Sequence, residues 1–237
     1  MTPEIIVLSL SSAAIAFVHT VLGPDHYVPF IAMSRARGWA MRKTIGITLA
    51  CGLGHLLGSV LLGLAGIALG IQLASLEWLE GLRSNVAAWM LMGFGLAYLV
   101  WGLGKAYRDR PHSHWHSHES VVHSHVHSHQ MEHSHVHDEK KSSRRLAPWV
   151  IFVIFVLGPC EPLIPLLMYP AARESAQGVL TVTVVFGLVT VLTMTLVVAL
   201  AIAGLKSVNL KRFERFGHAI AGTAILFSGM AITFLGM

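Results

Sequence analysis

Charge is scarce in this chain. Only 12% of its 237 residues are Asp, Glu, Lys or Arg, about half the share of a soluble domain, whereas 54% are hydrophobic. The few charges fall between long apolar runs instead of alternating within them. A water-soluble fold is thereby excluded, and an all-α polytopic membrane protein is expected. Cysteine is nearly missing. Cys51 and Cys160 are the two present, both inside apolar runs, so no extracellular disulfide framework is expected. No G-x-x-x-x-G-K-[ST] loop occurs, which removes the usual mark of ATP use. The opening "MTPEII" has an acid and no Lys or Arg. A signal peptide begins with basic residues, so the first run is expected to be a retained helix.

Six apolar runs reach the roughly 20 residues needed to span a bilayer: Ile5–Met33, Thr44–Gly70, Ala87–Gly104, Trp149–Ala172, Val179–Leu205 and Ala219–Leu235. All are expected to be helical, because a span must satisfy its backbone polar groups internally. With loops alternating between sides, 15 of the 17 Lys and Arg residues fall on one side, and Arg83 and Arg173 on the other. The crowded side is expected to be cytoplasmic. A multi-pass protein of the cytoplasmic membrane follows, with both termini outside. The formal charge of +5 then reflects topology, with lipid as the partner and no nucleic acid.

Displaced by 135 residues, the chain overlays itself. "VLGPDHYVPFIAMSRA" from Val21 lies over "VLGPCEPLIPLLMYPA" from Val156, and further on Thr48 meets Thr183 and Gly52-Leu53 meets Gly187-Leu188. A duplicated unit of three spans must enter the membrane from opposite sides in its two copies, as in secondary transporters with midplane sites. Three regions are expected: a three-helix repeat over residues 1–104, a cytoplasmic loop over 105–147 with no packed core, and a second three-helix repeat over 148–237. Gly23-Pro24 and Gly158-Pro159 should interrupt the first and fourth helices, since proline lacks the amide donor and clashes with the preceding turn.

Directly beyond the breaks stand Asp25 and His26 in one half, Cys160 and Glu161 in the other. An acid at the bilayer centre costs about 2.5–3.5 kcal/mol on insertion scales, so it seldom lies idle. Carboxylate, imidazole and thiolate together suit borderline transition metals. His19 precedes His26 by seven residues, and His55 lies mid-run in "CGLGHLLGS". The candidate metal set is therefore His19, Asp25, His26, His55, Cys160 and Glu161. A second candidate is the loop, whose His112, His114, His116, His118, His123, His125, His127, His129, His133, His135 and His137 form mostly H-x-H pairs. Such tracts bind metal by composition, and imidazoles charge in mild acid, so loop binding should fade there.

"HTVLGPDH" with downstream "GLGH" resembles the nickel/cobalt transporter superfamily, which includes the urease-associated nickel permeases and the nickel/cobalt exporters. The resemblance implies metal handling by His19, Asp25, His26 and His55. It implies Ni²⁺ or Co²⁺ as cargo, with Zn²⁺ a further candidate, and metallochaperones or metalloenzyme maturation proteins as partners. Five residues separate His19 from Asp25, where that family has four. "GPCEPLIP" resembles instead the Cys-Pro motifs of the transmembrane thiol–disulfide carriers of cytochrome c biogenesis, with Cys160 as the working thiol. Metal transport is the first expectation and thiol–disulfide electron transfer the alternative. In either case a carrier is expected, with no enzymatic site and no resident cofactor.

Overall fold

The structure, a computed structural model, describes residues 3–108, 112–118, 121–127, 143–158, 160–173, 175–206 and 211–235. Eight α-helices occur among the described residues: α1 Pro3–Leu22, α2 Val28–Arg37, α3 Met41–Ala68, α4 Leu73–Arg108, α5 Ser143–Leu157, α6 Leu163–Ala172, α7 Ala176–Lys206 and α8 Gly217–Leu235. Short 3₁₀ turns cover Pro24–His26 and Lys211–Phe216. Among the described residues, five helices are long and apolar enough to cross a bilayer, whereas Ala147–Leu157 and Leu163–Ala172 are shorter apolar pieces. The expected first and fourth runs are each divided in two, which turns six apolar runs into eight helices.

The lipid-facing side is written along α7. Leu188, Leu192, Leu196 and Leu200, one per turn, are each more than half exposed. In water such a stripe would be a large unmet apolar surface. Against lipid it is the expected outer face, and the protein is a multi-pass integral membrane protein.

Inside, α4 lies along α8, α1 along α7, and α3 along both α5 and α7. The α4–α8 seam is made close by small residues, as is usual where no hydrophobic force drives helices together. A Cβ on Gly95 would stand 2.5 Å from the Leu226 backbone nitrogen, and one on Gly102 2.5 Å from that of Ala219. Two apolar clusters flank the middle of the bundle. One holds Phe30, Met33, Cys51 and Phe155; the other holds Ala16, Cys160, Leu163 and Phe186.

The histidine-rich loop, expected to lack packed structure, carries an antiparallel hairpin. Its strands are β1 His112–His118 and β2 Val121–His127, paired so that His112 opposes His127, His114 opposes His125, and His116 opposes His123. The two-residue period of H-x-H matches the period of a strand. His129, His133, His135 and His137 lie outside the described residues.

Candidate functional site

The first break begins where α1 runs into Pro24. Gly23 N–H still donates to His19 O at 3.0 Å, and the chain then tightens into the Pro24–His26 turn, with His26 N–H donating to Gly23 O at 3.1 Å. That turn carries the His26 ring inward until the side chain is buried. Gly23 is required by close approach, since a Cβ there would lie 2.5 Å from His26 Nδ1 and 2.9 Å from Asp25 Oδ1. His26 Nδ1–H donates to Gly23 O at 3.2 Å, and Asp25 Oδ1 stands at the same distance from that nitrogen.

Two further imidazoles close on this ring. His19, from the last turn of α1, packs edge-on with ring centroids 4.9 Å apart. His55, from the middle of α3, meets the other side of His26 at 5.3 Å. His55 Nδ1–H donates to Phe155 O at 3.3 Å, so α5 fixes its orientation. One ring nitrogen from each of the three histidines lies within 4.8 Å of the others.

These groups line a cavity of about 250 Å³ together with Asp25, Gly158 and Glu161. The cavity therefore reaches both breaks. Five of the six membrane residues singled out from the sequence, His19, Asp25, His26, His55 and Glu161, are brought to it. Cys160 is not among its lining residues and is fully buried in the apolar cluster with Leu163 and Phe186. Cys51 is buried in the other cluster, beside Phe155 and Met194.

The second break has a different supporting cast. Helix α5 ends at Leu157 and α6 begins at Leu163; Pro159 itself lies outside the described residues. Interrupting a helix leaves carbonyls without intrahelical donors. Arg83 of α4 supplies them, its Nη2 donating to Val156 O at 3.1 Å and Gly158 O at 3.2 Å. Its Nη1 donates to Glu80 Oε1 at 2.6 Å, and the Glu80 side chain is fully buried. Ser59 of α3 accepts the Cys160 N–H at 3.0 Å. Glu80, Arg83 and Ser59 escaped the sequence reading, where Arg83 served only to count charges. The available signal was "EGLR", an acid and a base one turn apart at the edge of an apolar run.

Residues 27–231 match the family described as cytochrome c biogenesis protein transmembrane region. No curated protein and no solved structure matches. The family match overturns the nickel/cobalt transporter resemblance, and with it nickel or cobalt transport as the function. The reason is the small reach of the misleading signal. "HTVLGPDH" is a handful of residues, and His19, Asp25 and His26 all lie before the matched stretch begins. The match runs from α2 into α8, far beyond any short motif, and Cys160 with its "GPCEP" context lies inside it. This chain belongs to the cytochrome c biogenesis transmembrane-region family.

Proposed function

We propose that the protein is a membrane-embedded thiol–disulfide carrier in which Cys160 exchanges with a redox partner and Cys51 resolves the product. The observation that carries this reading is the family match over residues 27–231, with Cys160 placed where the fourth apolar run is interrupted. Reaction begins when the Cys160 thiolate attacks a partner disulfide, forming a mixed disulfide and releasing one partner thiol. Attack by Cys51 then forms a Cys51–Cys160 disulfide and releases the second partner thiol. Two electrons pass to the partner, and two protons leave the carrier's thiols.

The conformation described here precedes that closure. Cys160 N–H bonds Ser59, which follows Cys51 by eight residues on α3, about 12 Å of helix rise. Cysteines bridge only when their Cα atoms approach to roughly 7 Å or less. A sliding of α3 against the α5–α6 break is thus part of the proposed cycle. The bundle supports a rearrangement of this kind through its internal symmetry. If residues 1–104 and 148–237 are inverted repeats, α1 corresponds to α5, α2 to α6, α3 to α7 and α4 to α8. The packing of α1 on α7 then corresponds to that of α5 on α3, and α2 on α8 to α6 on α4; all four contacts are present. The charge asymmetry supports a cytoplasmic hairpin loop and outward termini.

The test is transfer across vesicles holding the purified protein, with a dithiol reductant inside and a disulfide peptide outside. Cys160→Ser should abolish peptide reduction, and Cys51→Ser should trap the mixed disulfide as an adduct resolved on a non-reducing gel. Transfer at the wild-type rate by the doubly substituted protein would overturn the reading.

A further inference from the structure

The thiol chemistry makes no use of the three histidines that crowd the cavity, and these carry a separate conclusion. We propose that His19, His26 and His55 hold one divalent transition-metal ion of borderline class as a resident of the protein, each through Nε2, with Asp25 orienting His26 from behind.

The first support is the placing of protons. His26 Nδ1 faces two acceptors, Gly23 O and Asp25 Oδ1, and His55 Nδ1 faces the Phe155 carbonyl. A nitrogen facing only acceptors carries the hydrogen, which leaves the Nε2 lone pairs of His26 and His55 free to bind. A carboxylate or carbonyl behind Nδ1 is also how metal-ligating histidines are usually fixed. The second support is what those lone pairs lack. Nε2 of His19, of His26 and of His55 are all buried without a hydrogen-bond partner, although His26 and His55 are 98% and 97% buried. Buried polar atoms nearly always have a partner; three orphans on rings that pack about His26 share one explanation.

The third support is spacing. With one nitrogen of each ring within 4.8 Å of the others, a modest contraction brings them to the roughly 3.4 Å that separates imidazole nitrogens sharing a tetrahedral ion at about 2.1 Å. Three neutral nitrogens select zinc, copper, cobalt or nickel over magnesium or calcium, which demand oxygen. The fourth position is left to the cavity, which Glu161 also lines. His19 and His26 lie before the part matched by the family model, and His55 lies inside it. The site is independent of Cys160 and concerns an ion that stays.

The loop histidines would obscure a metal count, so the test uses the full-length protein with His112 to His137 of the loop replaced by serine. Purified in lipid nanodiscs, loaded with Zn²⁺ and dialysed against buffer, it should retain one equivalent by elemental analysis. Loaded with Co²⁺, it should show the visible absorption of a four-coordinate nitrogen-rich site, without an intense thiolate band. His26→Ala and His55→Ala should each lose the equivalent. Asp25→Asn, which keeps all three ligands, should weaken Zn²⁺ binding by about 10–100-fold. No retained metal in the loop-silenced protein would overturn the site, as would a full equivalent in His55→Ala or a thiolate-type cobalt spectrum. If a histidine variant does not fold, Asp25→Asn and the cobalt spectrum of the parent still decide.

Discussion

The two helix breaks meet the same difficulty with different resources. Around Gly23-Pro24 the exposed backbone is served locally. The acceptor of the Gly23 amide, the polar partners of His26 Nδ1 and the tightened turn itself all lie between His19 and Tyr27. Around Gly158-Pro159 help comes from afar, with Arg83 reaching over from α4 and Ser59 from α3. A self-served break leaves its polar side chains free to face a cavity. A break capped by a guanidinium is tied to a neighbouring helix, and Cys160 is shut beneath it. The first break has the means of a site, the second those of a latch.

That contrast can be broken by substitution. Arg83→Ala should have the largest effect, because it strands the buried Glu80 carboxylate and uncaps Val156 O and Gly158 O. Removing one partner of a buried pair costs about 3–5 kcal/mol, readable as a sharp fall in thermal unfolding temperature in nanodiscs. Adding Glu80→Gln should recover a substantial part; no recovery would mean that the carbonyl caps, and not the ion pair, dominate. Gly23→Ala comes next. Its Cβ would press on His26 Nδ1 and Asp25 Oδ1, an overpacking cost of about 1–3 kcal/mol measured by the same unfolding assay. Ser59→Ala should cost about 1 kcal/mol by leaving the Cys160 N–H without its acceptor, and should speed alkylation of Cys160 in a mass-spectrometric time course. Gly158→Ala should be mildest. Its Cβ would meet His55 Nδ1 at 3.1 Å and the Phe155 backbone oxygen at 3.2 Å, contacts longer than those at Gly23 and eased by shifts of a few tenths of an ångström. A larger loss here than in Gly23→Ala would reverse the comparison.

Legibility followed the same divide. The apolar runs, the two interruptions and the placing of Asp25 and His26 beyond the first were readable, because span length and the missing proline amide act locally. His19, Asp25 and His26 of the first half, expected together at one site, all line the cavity, as residues close in sequence around one break can. Cys160 was expected beside Asp25, and it packs instead among Leu163 and Phe186. The Glu80–Arg83 pair was passed over, because nothing in "EGLR" tells which carbonyls a guanidinium will find. The family was misread for a related reason. Four chelating residues make a strong local signal, whereas the family match extends over residues 27–231.

The sequence by itself determined that this protein lives in lipid and where its helices must give way. Apolar length and a proline act on their own stretch of chain, whatever surrounds them. Only the tertiary structure decided that His55 joins His19 and His26, that Arg83 holds the far break, and that Cys51 and Cys160 lie in different apolar clusters. Those outcomes depend on how helices tens of residues or more apart in the chain pack together, which is set by the shape of the whole bundle and by no single segment.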